Sequence, residues 1–151
     1  MRQRRNTARW RERRVPRTLQ PTSIRGGDTL ERLLPWLGGI HAIYFVLTGV
    51  WPIVHIRSFM AVTGPKRDIW LVKTVGVLVT VVGAVIGLAV WRGSYTPEVF
   101  VLAVGSAGAL AGVDVYYHVR GVIPRVYLLD AVAEGVLIAG WVVAWTGAVG
   151  R

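Results

Sequence analysis

A chain of 151 residues with 53% hydrophobic and 17% charged side chains and a net charge of +10 has too little polar material to cover its apolar content in water. Its lack of cysteine excludes disulfides, thiol catalysis and thiolate metal sites. It contains no P-loop, dinucleotide fingerprint, zinc-protease helix or nucleophile elbow, so no enzyme class with such a signature is indicated.

Residues 1–34 carry ten arginines against three acids, Glu12, Asp28 and Glu31, and so hold +7 of the total charge. Residues 2–17 have almost no apolar content, which predicts a basic, largely disordered cytoplasmic leader. Arg9, Arg11, Arg13 and Arg14 are its expected contacts with anionic lipid, at about 1 kcal/mol per basic residue near the surface. Nucleic acid is not expected as a partner. Any polycation attracts phosphate, but only Trp10 interleaves the arginines and the leader has no folded domain to give specificity. The segment is too long and too polar for a signal peptide. Asp28 followed by Glu31 predicts a capping box opening a short helix through Leu34.

From residue 35 to 151 the chain reads as one transmembrane domain. Apolar runs cover about residues 37–54, 69–91, 97–119 and 125–149, each near the roughly 20 residues that a helix needs to cross about 30 Å of hydrocarbon. The runs lack the alternation of barrel strands, and a backbone in lipid must otherwise satisfy its own amides by forming helices. The expected fold is an all-α, four-transmembrane-helix up-down bundle with an interfacial loop after the first span. Trp36, Trp51, Trp70, Trp91 and Trp145 fall near the span ends, where amphipathic rings prefer to sit. Thr96-Pro97-Glu98 supplies a cap, a first-turn proline and an acid at a helix start. Pro124-Arg125 opens the fourth span similarly, and Pro52 kinks or finishes the first.

Four spans place both termini on one side. Near the spans, Arg17, Arg25, Arg32, Arg92 and Arg151 on the terminal side balance Arg57, Lys66, Arg67, Arg120 and Arg125 on the other. The remaining leader arginines break the tie and predict cytoplasmic termini. Small residues recur four apart at Gly83 and Gly87, at Gly108 and Gly112, and at Ala131, Gly135 and Ala139. They allow close helix approach, which supports a compact bundle and offers Gly83, Gly87, Gly108 and Gly112 as a homodimer contact.

The ionisable residues within the spans are placed asymmetrically. Because the chain reverses at each span, Lys73, Asp114, His118, Asp130 and Glu134 all fall in the half of the bundle opposite the termini. At 1.5 Å per residue, Lys73 and Asp130 lie roughly 6 Å inside, Asp114 roughly 8 Å and Glu134 roughly 12 Å. Asp114 and His118 share a helix face, as do Asp130 and Glu134, and Tyr44, Tyr117 and Tyr127 add hydroxyls. Groups at such depth are costly unless paired or hydrated, and they face the bundle interior. One reading is a structural network in which Lys73 pairs with Glu134 or Asp130 and His118 bonds Asp114. The other is a polar pocket formed by Glu134, Asp130, Asp114, His118, Lys73 and Tyr117, with Glu134 as a buried acid suited to proton exchange or to a cationic ligand. No metal site is expected, since no ligand spacing marks one and Lys73 would repel the ion. No cofactor is expected either. His41 and His118 lie at opposite depths, which disfavours bis-His haem ligation within one monomer. The loop after the first span contains His55, Thr63, Gly64, Pro65 and Lys66; residues 56–62 suit a short amphipathic segment at the interface, placed to act as a lid over the polar half.

The strings His41-Ala42-Ile43-Tyr44, Thr48-Gly49-Val50-Trp51-Pro52, Val62-Thr63-Gly64-Pro65-Lys66 and Tyr127-Leu128-Leu129-Asp130-Ala131-Val132-Ala133-Glu134 resemble a family of small uncharacterised bacterial membrane proteins with four spans. The likeness covers roughly residues 37–145 and leaves out the leader. It implies a bacterial inner-membrane location and no particular activity. The functional expectation is a non-enzymatic membrane protein whose polar half-membrane pocket takes a lipid or small amphiphile. The alternatives are an isomerase-like intramembrane enzyme with carboxylate acid and base, or a proton-coupled transporter subunit.

Overall fold

The computed structural model of the protein describes residues 26–149; Arg9, Arg11, Arg13 and Arg14 lie outside the described residues. Five helices follow one another: α1 Gly26–Val54, α2 Ile56–Thr63, α3 Ile69–Arg92, α4 Pro97–Val119 and α5 Val126–Val149. All but α2 are long and apolar enough to span a membrane, over Leu33–Val54, Ile69–Arg92, Pro97–Val119 and Val126–Gly147. The all-α four-span expectation therefore holds. One local expectation changes: the short helix and the first span are one continuous helix, and Asp28 lies inside α1. Pro52 lies within α1, close to its end at Val54, and removes only one amide donor from the ladder.

The ends of the helices follow local chemistry. The Thr96 side chain accepts from the Val99 amide at 3.5 Å, with Pro97 in the first turn of α4. Gly93 closes α3 at φ 63°, a left-handed conformation natural to glycine. The Trp36, Trp70 and Trp91 rings face outward, as interfacial anchors should.

Three antiparallel seams set the arrangement. Along α1 and α3, Gly49 meets Gly76 and Thr80, and Gly83 meets Ala42 and Phe45. Along α1 and α5, Tyr44 meets Asp130 and His41 meets Trp141. Along α4 and α5, the Phe100 ring stacks on Trp145 with centroids 4.7 Å apart. In space the helices run α3–α1–α5–α4, and the two ends of that row, α3 and α4, barely touch. The best-buried side chains, Trp141, Phe45, Ile86, His41 and Glu134, lie along the central α1 and on the helices packed against it.

The small-residue pairs divide between these seams. Gly83 and Gly87 face Phe45 and Ala42 of α1, so the close approach they permit is used within the chain. Gly108 and Gly112 are exposed, and nothing lies within 4 Å of a Cβ placed on Gly112.

Candidate functional site

Because α3 and α4 stand apart, the half of the bundle opposite the termini holds an open-sided cavity of about 600 Å³. All five helices contribute to its wall. α1 gives Tyr44, Thr48 and Trp51, α2 gives Phe59 and Thr63, and α3 and α4 give valines and leucines on either side of their gap. Asp114 of α4 and Asp130 and Glu134 of α5 supply the polar floor. Most of the lining is apolar, with a few convergent polar groups, as small-molecule sites usually are.

The polar floor is built by helix spacing. Asp130 and Glu134 lie one turn apart on α5 and point the same way. Asp130 accepts a hydrogen bond from the Tyr44 hydroxyl of α1, and its carboxyl faces that of Asp114 across the α4–α5 seam. Glu134 is 1% exposed and Asp114 7%. One oxygen of each, Glu134 Oε2 and Asp114 Oδ2, has no hydrogen-bond partner. Buried polar atoms are nearly always bonded in native structures, so these two oxygens mark unfilled hydrogen-bonding capacity on residues of the cavity wall.

The other residues singled out from the sequence lie apart from this floor. Lys73 is exposed and does not line the cavity, so the pairing with Glu134 or Asp130 does not form; its long stem lets the ammonium reach the interface. His118 Nδ1 lies 3.3 Å from the Ile123 carbonyl in the α4–α5 turn, in place of the bond expected with Asp114. Tyr117 is 44% exposed and packs edge-on against Tyr116. Among the described residues, no three His, Cys, Asp or Glu side chains are arranged to hold a metal ion.

The segment after the first span is the short helix α2, and it forms part of the cavity wall. His55 caps it, accepting from the Ser58 amide at 3.2 Å. Trp51 of α1 holds it down, donating to Ser58 Oγ at 2.8 Å and meeting Phe59 edge-on at 5.6 Å. Thr63 is buried and lines the cavity. Gly64 turns the chain at φ 83° before Pro65. Lys66 donates to the Thr63 carbonyl at 2.9 Å, with its ammonium 4.9 Å from the centre of the Tyr127 ring.

A second buried polar pair lies in the opposite half. Trp141 Nε1 donates to His41 Nδ1 at 3.1 Å, which leaves the imidazole proton on Nε2, and that nitrogen has no partner. Sequence reasoning singled out His41 but missed Trp141. The available signal was that a mid-membrane histidine needs a hydrogen-bond donor or acceptor opposite it.

These features define a multi-pass membrane protein with an acid-floored cavity in one half of a four-helix bundle. No family model, no curated protein and no solved structure matches the chain.

Proposed function

We propose that the protein is a non-enzymatic, amphiphile-binding protein of a bacterial inner membrane. The observation that carries this reading is the cavity. It is largely apolar, about 600 Å³ in volume, floored by buried carboxyls, and beside the gap between α3 and α4, where a lipid-like molecule can lie with its tail toward the bilayer. In this reading α2 is a lid, with His55, Thr63, Gly64, Pro65 and Lys66 shaping its two ends. The bacterial location rests on the family resemblance of the sequence strings. The leader's arginines favour cytoplasmic termini and contact with anionic headgroups, which puts the cavity in the outer-leaflet half. A cysteine introduced at Thr7 should then resist an impermeant thiol reagent in intact cells and react after lysis; labelling of intact cells would reverse the orientation.

The direct test of binding is native mass spectrometry of protein released from mild detergent, wild type beside Glu134→Gln. The wild type should carry a lipid or small amphiphile that the variant loses. A bare wild type beside a merely less stable variant would show that the acids serve the fold.

One observation favours a second reading. The facing carboxyls of Asp114 and Asp130 could divide the roles of acid and base in an isomerase acting on a lipid-like substrate. A transporter subunit would instead need a dimer to complete a pathway, for which the exposed Gly108–Gly112 face of α4 is the contact left open.

A further inference from the structure

We infer that the cavity selects an amphiphile with a positively charged head, an ammonium group on an apolar tail, admitted sideways from the bilayer between α3 and α4. This deepens the amphiphile-binding reading and rests on it.

The charge inventory of the wall carries the inference. Among the described residues, three carboxyl side chains line the cavity, and no lysine, arginine or histidine does. The two lysines of this half of the molecule are held elsewhere. Lys73 is exposed, and Lys66 is tied to the Thr63 carbonyl and the Tyr127 ring. An anionic head would meet three acids with no counter-charge. A neutral hydroxyl head would satisfy a lone pair and leave the charge problem unsolved. A carboxylate at this depth is costly unless paired or hydrated, and an ammonium brings both the charge and up to three donors.

The unfilled acceptors have the right character. Glu134 Oε2 and Asp114 Oδ2 lack partners on side chains that are more than nine-tenths buried and line the cavity. The Tyr44 hydroxyl is already committed to Asp130, so what remains is acceptor capacity, which a donor-rich head completes. Tyr44, Trp51, Phe59 and Tyr127 also line the wall, and aromatic rings attract ammonium groups. Lys66 over Tyr127 at 4.9 Å shows that geometry on one of these rings.

The access route follows from the helix order. α3 and α4 are consecutive in the chain yet barely touch, and Val72, Val75 and Val79 face the cavity from one side of their gap while Leu110 and Val113 do so from the other. An alkyl tail left in that gap stays in apolar surroundings, and only the head leaves the interface.

The test compares three probes of one tail length, dodecylamine, dodecanol and dodecanoate, added to the full-length protein in a non-ionic detergent. Binding is read by quenching of tryptophan fluorescence, to which Trp51 contributes, and by one-to-one adducts in native mass spectrometry. The amine should bind about tenfold or more tightly than either other probe, the margin expected of a charge-assisted hydrogen bond. The Asp114→Asn/Glu134→Gln double variant should reduce the amine to the level of the alcohol. The wild-type comparison decides the matter even if that variant does not fold. Equal binding of amine and alcohol would overturn charge selection and leave the amphiphile site standing, as would a preference for the carboxylate. Failure of all three probes to bind would overturn the amphiphile reading itself.

Discussion

Gly49→Ala should loosen α1 from α3 and lower thermal stability more than a single methyl group ordinarily does. A Cβ at residue 49 would lie 2.5 Å from Thr80 Oγ1, 2.6 Å from the Gly76 carbonyl oxygen and 2.8 Å from the Thr80 amide nitrogen. Two of these atoms are backbone, so no rotamer change relieves the clash and the helices must separate. The reciprocal position is equally tight, with a Cβ on Gly76 falling 2.6 Å from the Gly49 carbonyl. Overpacking costs about 1–3 kcal/mol and occasionally more, and contact with rigid backbone puts this site at or above the upper end. The cost also outweighs the roughly 1 kcal/mol that alanine gains over glycine in helix propensity. Gly39→Ala and Gly112→Ala are the controls, because nothing lies within 4 Å of a Cβ at either position; both should match or slightly exceed the wild type. Thermal unfolding of the three variants in detergent tests the ordering. A Gly49→Ala protein as stable as the controls would mean that α1 and α3 do not approach as described. The site is affected too, since Gly49 and Gly76 both line the cavity and their separation would widen it beneath the lid.

The parts of this architecture that the bilayer dictates were legible in the sequence. Span number, the gathering of Asp114, Asp130 and Glu134 in one half, and an amphipathic segment after the first span all follow from length, apolarity and chain reversal. The observed α2, Ile56–Thr63, differs from the expected segment by one residue. What could not be read was the neighbour of each helix. A soluble helix announces its inner face by contrast with a polar outer one, whereas a run such as residues 81–90 is apolar all round and gives no phase. Hence the sequence alone did not show that Gly83 seats Phe45. Lys73 could be counted into the polar network when its stem carries the charge outward. His118 could be paired with Asp114 by spacing alone, when the Ile123 carbonyl of the following turn lies beside it. The open seam between α3 and α4 was hidden for the same reason. Nothing in the residues of the short turn between α3 and α4 reveals the spatial order α3–α1–α5–α4, in which those two helices barely touch.

Trp141→Ala should be among the most destabilising single changes in the chain, and Trp141→Phe should be much milder. The indole is fully buried, with the Phe100 ring 6.5 Å away and α1 so close that a Cβ on Gly38 would lie 3.6 Å from it. Truncating a large buried aromatic to alanine costs about 3–5 kcal/mol. In lipid that cost comes from lost packing, because the surrounding tails are as apolar as the core. The hydrogen bond to His41 Nδ1 is the smaller part: interhelical bonds of this kind average about 0.6 kcal/mol and reach about 1.7. Phenylalanine keeps most of the volume and loses that bond, so the expected order of stability is wild type, then Trp141→Phe, then Trp141→Ala by a wide margin. A double-mutant cycle of Trp141→Phe with His41→Leu isolates the bond itself. If the two Trp141 variants proved equally unstable, the hydrogen bond would outweigh the packing and His41, already unpartnered at Nε2, would be the more demanding member of the pair. Trp141 lies outside the cavity wall, so Trp141→Phe should retain the bound amphiphile that Glu134→Gln loses. Stability and binding should therefore respond separately to these two changes.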